Sequence, residues 1–155
     1  MIQRIQSLYL LMTTLLSLLF LNGSFLSFIN KSGYEIKVTF TGVLKSTGGQ
    51  GFEMIEKLVP LSALIILIPL ISLVTIFLFK NRKIQLRFSL FLVILTSILV
   101  IAFLHVSMSI ISKFGSSLIL GFKMILPLLL LIFSILAYRG IKKDDQLIKS
   151  YDRLR

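Results

Sequence analysis

Four long runs of apolar residues dominate the chain, and short polar segments separate them. A helix that crosses a bilayer needs about 20 mostly apolar residues. Each run reaches that length, so the pattern predicts spanning helices over residues 5–29, 58–79, 86–108 and 118–138. The runs lack the alternation of membrane strands, and a lipid-exposed backbone must satisfy its own hydrogen bonds, which favours helices.

The connections between the runs predict how these helices pack. A short polar segment at 80–85 joins the second run to the third, and residues 109–117 join the third to the fourth. Short connections place consecutive helices side by side in opposite directions. The predicted fold is therefore an all-α integral membrane protein, in which residues 1–155 form one up-and-down bundle of four transmembrane helices.

The segment 30–57 is the longest predicted loop between two helices. From Tyr34 to Thr41 apolar residues alternate with polar ones, which is the period of a half-buried strand. Gly42 can turn the chain into a second short strand at 43–46, so we expect a short extracytoplasmic β-hairpin. Glu53 and Glu56 follow, and they are placed to meet the positive end of the second helix dipole.

Composition supports a membrane environment. Of the 155 residues, 56% are hydrophobic and 15% are charged, whereas soluble domains average about 45–50% apolar and about 25% charged residues. The net charge of +11 would favour nucleic acid in a soluble protein, but here Lys and Arg lie at the ends of apolar runs, as in membrane proteins. We therefore expect no nucleic-acid partner. The chain has no cysteine, which excludes disulfides and thiolate sites.

The distribution of basic residues predicts an orientation. If both termini lie on one side, that side holds 11 Lys and Arg residues and the opposite side holds 5. The positive-inside rule then places the N- and C-termini in the cytoplasm. The first run is followed by no small-x-small cleavage signature, so we expect an uncleaved helix instead of a signal peptide.

Two ionisable residues, His105 and Lys123, fall within predicted spans. Such residues are costly in a bilayer and often functional. Both are expected near the extracytoplasmic boundary, where Lys123 would reach Glu53 or Glu56 and His105 would join a small polar cluster. The alternative is that Lys123 extends its ammonium group to the interface and that His105 is an ordinary interfacial side chain.

Signatures of catalysis are missing. The chain contains no H-E-x-x-H, G-x-S-x-G or P-loop motif, and its single histidine excludes a histidine-rich metal site. We therefore expect no enzyme, no cofactor and no metal. Pro69 and Pro127 fall near the middle of predicted spans, where they would kink the helices and could open a cavity.

The C-terminal segment 139–155 is predicted to form a cytoplasmic helix. Ile141, Leu147, Ile148, Tyr151 and Leu154 would share one arc of it, which Asp144 and Arg155 interrupt. A basic surface that could bind lipid headgroups or a partner would consist of Arg139, Lys142, Lys143, Lys149, Arg153 and Arg155. The alternative is a solvated helical stub.

The two ends of the chain, "MIQRIQSLYLLM" and "IKKDDQLIKSYDRLR", resemble those of a family of small four-pass inner-membrane proteins from Bacteroidota, described as a domain of unknown function. The resemblance covers the whole chain, and the closing "DRLR" is its most specific part. It implies a location in the bacterial inner membrane and a four-pass topology. It implies no activity, cofactor or catalytic residue.

These observations favour an accessory or scaffold subunit that binds another membrane component through the tail or the extracytoplasmic loop. The expected partners are the lipid bilayer and another membrane protein or a second copy of the chain. The alternative function is a small carrier or lipid-binding protein with a cavity near Pro69, Pro127, His105 and Lys123.

Overall fold

The computed structural model describes residues 2–30, 33–46 and 51–153, with side chains described from residue 5 to residue 147 within these ranges. Four α-helices make up most of the described chain: α1 Ile2–Leu18, α2 Val59–Phe77, α3 Arg82–Phe114 and α4 Leu126–Arg153. The strands are β1 Ser24–Ile29, β2 Glu35–Thr39, β3 Gly42–Ser46, β4 Phe52–Lys57 and β5 Ser117–Ile119. Short 3-10 turns adjoin the helices at Leu19–Leu21, Leu78–Lys80 and Phe122–Ile125.

The helices are apolar around most of their circumference. In the described part of the chain, three helical segments are long and apolar enough to cross a membrane: Val59–Lys80, Arg82–Phe114 and Phe122–Leu147. Only 33% of each apolar window is buried. The first helix is shorter, with its apolar stretch at Ile5–Leu21. Exposed hydrocarbon on this scale is consistent with a membrane protein.

The helices pack in chain order around a ring. Each contacts the next one along the chain, and α1 also contacts α4. Hydroxyl side chains are buried between them, at Thr13, Thr14, Ser17, Ser72, Thr75, Ser89, Thr96 and Ser134. Three of these form two bonds between different helices: Ser72 Oγ donates to the Leu10 carbonyl at 2.8 Å, and Thr96 and Ser134 share a hydroxyl–hydroxyl bond of 2.9 Å. Small polar residues let helices approach closely and bond directly.

The all-α prediction is wrong. The strands form a five-stranded antiparallel sheet in the order β4-β3-β2-β1-β5, so the fold is α+β. The predicted hairpin corresponds to β2 and β3, but it is only part of this larger sheet. We call the sheet the cap, because it lies at one end of the four helices.

The first predicted span ends early because a strand occupies its last part. The helix stops near Leu21, and Gly23, at a φ of 71°, turns the chain into β1. The "SFLSFI" of β1 is as apolar as a helix end, and a short apolar run alone does not separate a strand from a helix. Phe28 of β1 is fully buried and pairs with Ile36 of β2 on one side and Leu118 of β5 on the other. In the sheet, β1 therefore lies between β2 and β5.

Two further predictions about the helices need correction. Glu53 and Glu56 lie on β4 and not at the start of α2, which begins at Val59 with Pro60 in its first turn. Pro127 is the second residue of α4 and not a mid-span kink. A proline in the first turn costs no helical hydrogen bond, because that N–H has no partner within the helix. Pro69 does lie inside α2, where it is buried.

The longest helix, α3, supports the cap. Its 33 residues extend for about 50 Å, compared with about 30 Å for the hydrocarbon core of a bilayer. The last turns of α3 run beside the sheet, where Val106 and Ile110 line a small cavity together with Val43 of β3 and Leu58. The helix ends at Phe114, and the following Gly115 has a φ of 56°, the left-handed conformation of a helix C-cap.

Aromatic packing joins the cap to the helices. The rings of Phe20, Phe25 and Phe103 lie 5.5 to 6.5 Å apart between centroids, in tilted and edge-to-face arrangements. Such contacts stabilise beyond the area they bury. Ser62 of α2 adds a hydrogen bond of 2.6 Å to the carbonyl of Phe40. The cap is thus attached to the helices through both apolar and polar contacts.

The turn into β3 allows a specific test of the cap. A Cβ at Gly42 would lie 2.2 Å from the backbone oxygen of Glu56, and its φ of 156° disfavours L residues. We expect Gly42→Ala to destabilise the protein by about 1–3 kcal/mol, the usual cost of overpacking. Hydrogen exchange of the β3 and β4 amides would show the loss locally. The control is Gly121→Ala, where nothing lies within 4 Å of the added Cβ. Equal protection of the β3 and β4 amides in the two variants would contradict the described pairing of these strands.

Candidate functional site

The predicted cluster of His105, Lys123, Glu53 and Glu56 is only partly assembled. Glu56 pairs with Lys113, at 3.3 Å, through side chains that are 55% and 59% exposed. Lys123 donates to the backbone carbonyl of Asn22 instead of to either glutamate. The lysine thus joins the 3-10 turn before α4 to the chain just before β1.

His105 and Glu56 do share a surface. Both line a cavity of about 150 Å³ between β4 and α3, together with Ser109 and Lys113. Glu53 lies in a separate depression beside Tyr34 and Lys45. An exposed ion pair contributes little stability. Most of the other residues that line the cavity beside His105 are apolar, among them Val43, Leu58 and Phe114.

The most exposed part of the cap is β4. All six of its residues are exposed, and Phe52, Met54 and Ile55 leave 45–46% of their surface uncovered. In the described sheet β4 is an edge strand. Lys37 of β2 places its Nζ 4.5 Å from the centroid of the Phe52 ring, which restrains this ring on the sheet.

The opposite end of the helices, which we call the tail end, brings together the start of α1, the end of α2, the start of α3 and the end of α4. Here α4 continues as one helix through most of the predicted tail. Arg139, Lys142 and Lys143 are exposed on it, and Lys142 lies 6.0 Å from the ring of Tyr138. Of the other predicted basic residues, Lys149 and Arg153 have no described side chain, and Arg155 lies outside the described residues.

The buried arc of the tail differs from the predicted one. Ala137, Ile141, Asp144 and Asp145 are buried, whereas Leu147 is exposed. Ile141, Asp144 and Asp145 follow Ala137 by four, seven and eight residues, which is the spacing of one helical face. Asp144, which was expected to interrupt an apolar arc, therefore lies within the interface, and so does Asp145. Ile148, Tyr151 and Leu154 fall outside the described side chains.

Asp144 is buried because Arg82 pairs with it. Arg82 Nη1 donates to Asp144 Oδ2 at 3.0 Å, and the two side chains are 19% and 9% exposed. Gln85, one turn further along α3, donates from Nε2 to the carbonyl of Thr75 at 3.2 Å. These two contacts connect the start of α3 with α4 and α2.

Sequence reasoning assigned Arg82 only to the orientation of the chain. A signal for its pairing was present, since no Asp or Glu occurs between Glu56 and Asp144. Asp144 also shares a helical face with Ala137 and Ile141. An acid on an apolar face at a membrane boundary calls for a basic partner, and the basic segment 80–87 could supply it.

Among the described residues, no group of three or more His, Cys, Asp or Glu side chains could hold a metal ion.

Comparison with protein families agrees with the resemblance of the two ends. The family model "Domain of unknown function (DUF4293)" matches residues 2–154. The chain belongs to this family. No curated protein and no solved structure matches it.

Membership of DUF4293 covers both the helices and the cap, because the match begins in α1 and ends beyond α4. The sheet is therefore within the family domain and is not an appended module. The bacterial group and the membrane topology that the resemblance implied stay predictions.

The Arg82–Asp144 pair generates a stability prediction. We expect Arg82→Met and Asp144→Leu each to destabilise the protein by about 3–5 kcal/mol, because each leaves a buried charge unpaired. The double variant should lose less than the sum of the two. Unfolding by SDS in mixed micelles, followed by circular dichroism, would measure these free energies.

The exposed pair Lys113–Glu56 is the matched control, and Lys113→Met should change stability by at most about 1 kcal/mol. Additive effects at positions 82 and 144 would contradict the pairing.

Proposed function

We propose that this chain is a non-catalytic accessory or scaffold subunit of the bacterial inner membrane, which binds a partner protein through β4 of its cap. A second copy of the chain counts as such a partner. The cap would face the extracytoplasmic side, and both termini would be cytoplasmic.

The observation that carries this proposal is the exposure of β4. Its three large apolar side chains, Phe52, Met54 and Ile55, lie on both faces of an edge strand. Exposed apolar clusters on a polar surface mark interaction sites. The inner strands β1 and β2 differ from β4, because their Phe28, Ile36 and Val38 are fully buried; elsewhere in the sheet Ile29 and Ile119 are exposed singly.

The form of β4 favours binding through side chains over addition of a partner strand. The β3–β4 register shifts between Val43, which pairs with Glu56, and Leu44, which pairs with Met54. Ile55 is thus the extra residue of a bulge. Bulges and charged residues on an edge oppose continuous strand pairing, and β4 also carries Glu53 and Lys57. A partner would therefore contact the side chains of Phe52 and Met54.

The proposed orientation rests on charge. At the tail end, residues 80–87 carry four basic residues, and α4 adds exposed Arg139, Lys142 and Lys143. The positive-inside rule favours the cytoplasm for this end. The same basic surface would lie along the anionic headgroups of the inner leaflet.

A photo-crosslinking experiment tests the docking surface. We expect p-benzoylphenylalanine at position 54 of the full chain, expressed in its native membrane, to give one discrete adduct. The same group at Leu120, 85% exposed near the other edge of the cap, is the control and should not give that adduct. The double variant Phe52→Ser/Met54→Ser should lose stoichiometric co-purification of the partner, and Leu120→Ser should keep it.

The absence of a position-54 adduct would contradict the proposal. So would the same adducts at positions 54 and 120, since these would indicate random collision. Hydrogen exchange of the sheet in the double variant provides a check on folding, because its substituted side chains are exposed and should not affect the core.

A further inference from the structure

A second surface of the molecule has the features of a ligand site. At the tail end a cavity of about 450 Å³ lies between α1, α2 and α3. Pockets for small molecules usually measure about 300–1,000 Å³. The sequence had predicted a carrier or lipid site near Pro69, Pro127, His105 and Lys123, and none of these four residues lines this cavity. The lining residues that matter here are Gln6, Ile76, Phe77, Phe79, Arg82 and Gln85.

Gln6 provides an unused hydrogen-bond donor. Its side chain lines the cavity and is only 4% exposed, and its Nε2 has no acceptor among the described residues. Gln85, on the same wall, already donates to the carbonyl of Thr75. A buried amide without an acceptor is unfavourable, so the Gln6 amide calls for a group with free oxygen atoms.

Arg82 adds further hydrogen-bond donors to the same cavity. Among the described residues its Nη1 donates to Asp144, and a guanidinium group carries five N–H donors. Lys80, Lys83 and Arg87 are exposed nearby in sequence, and residues 80–87 contain no acid. The donors in the cavity therefore match an anion, and the surrounding charge would attract one.

The remaining wall of the cavity is apolar. Phe77 and Phe79 leave 73% and 56% of their surface exposed, and Ile76 lies beside them. Large exposed rings at the end of an apolar helix are suited to acyl chains and poorly suited to a free inorganic ion. Basic pockets between membrane helices commonly bind anionic lipid headgroups.

We propose that this cavity binds the phosphate headgroup of an anionic phospholipid. Gln6 Nε2 and the remaining N–H groups of Arg82 donate to phosphate oxygens, and the acyl chains lie along Phe77 and Phe79. Asp144 holds the guanidinium in place and is a positioning residue. This site is independent of partner binding at β4.

The test uses the full chain, purified and delipidated in a non-ionic detergent. Short-chain phosphatidylglycerol, phosphatidylcholine and inorganic phosphate are titrated separately, and binding is followed by native mass spectrometry and by the thermal shift. We expect phosphatidylglycerol to bind at least tenfold more tightly than phosphatidylcholine. Inorganic phosphate should give no comparable stabilisation.

Gln6→Leu should weaken phosphatidylglycerol binding by about tenfold or more, which is the usual loss for a hydrogen bond to a charged group. Gln146→Leu, an exposed glutamine on α4, is the matched control and should bind like the wild type. Arg82→Lys is a second variant that keeps a cation for Asp144, and it should also bind the lipid more weakly.

Three results would overturn the proposal. Equal binding of the two lipids would remove the preference for an anion, and stabilisation by inorganic phosphate equal to that by lipid would remove the role of the acyl chains. Wild-type lipid binding by a less stable Gln6→Leu protein would show that Gln6 is structural, for example as a partner of the unpaired Asp144 Oδ1.

Discussion

Each of the three long helical segments buries only 33% of its apolar window against the rest of the chain. Water solvates such surface poorly, whereas lipid tails solvate it well. In lipid, however, polar groups have no solvent and need partners within the protein. This constraint explains why buried hydroxyl groups form hydrogen bonds within the protein. The hydroxyls of Ser72, Thr96 and Ser134 bond across the helix interfaces, and charged side chains are confined to the two ends.

The two ends meet the constraint in different ways. At one end, backbone N–H and C=O groups of the strands hydrogen-bond to one another in the antiparallel sheet. The rings of Phe20, Phe25 and Phe103 pack this sheet against the helices. At the other end Arg82 and Asp144 neutralise one another in the interface of α3 and α4. The helix α3 joins the two arrangements, since its first residue makes the ion pair and its last turns support the cap.

The sequence predicted the helical character of the chain well, because a bilayer demands a long apolar run and such runs are easily seen. It failed where the run contained a strand: Ser24–Ile29 and Ser117–Ile119 are apolar, and their partners lie elsewhere in the chain. Alternation did reveal β2, where one face is buried. For the sites, the charge distribution located the basic clusters, and position along the predicted spans placed His105 near Glu56. The predicted contact of Lys123 with Glu53 or Glu56 is wrong, since Lys123 bonds to the carbonyl of Asn22. The Arg82–Asp144 contact, across 62 residues, required the packing of α3 against α4.

The central claim is that the helices separate the cap from the tail end across a bilayer. The chain has no cysteine, so single cysteines can be labelled with a membrane-impermeant maleimide in intact cells and in inverted vesicles. Thr41→Cys in the cap should react only in cells whose outer membrane has been permeabilised, and Gln146→Cys in the tail only in inverted vesicles. Ile98→Cys, midway along α3, should react in neither. Labelling of positions 41 and 146 from the same side would contradict the account.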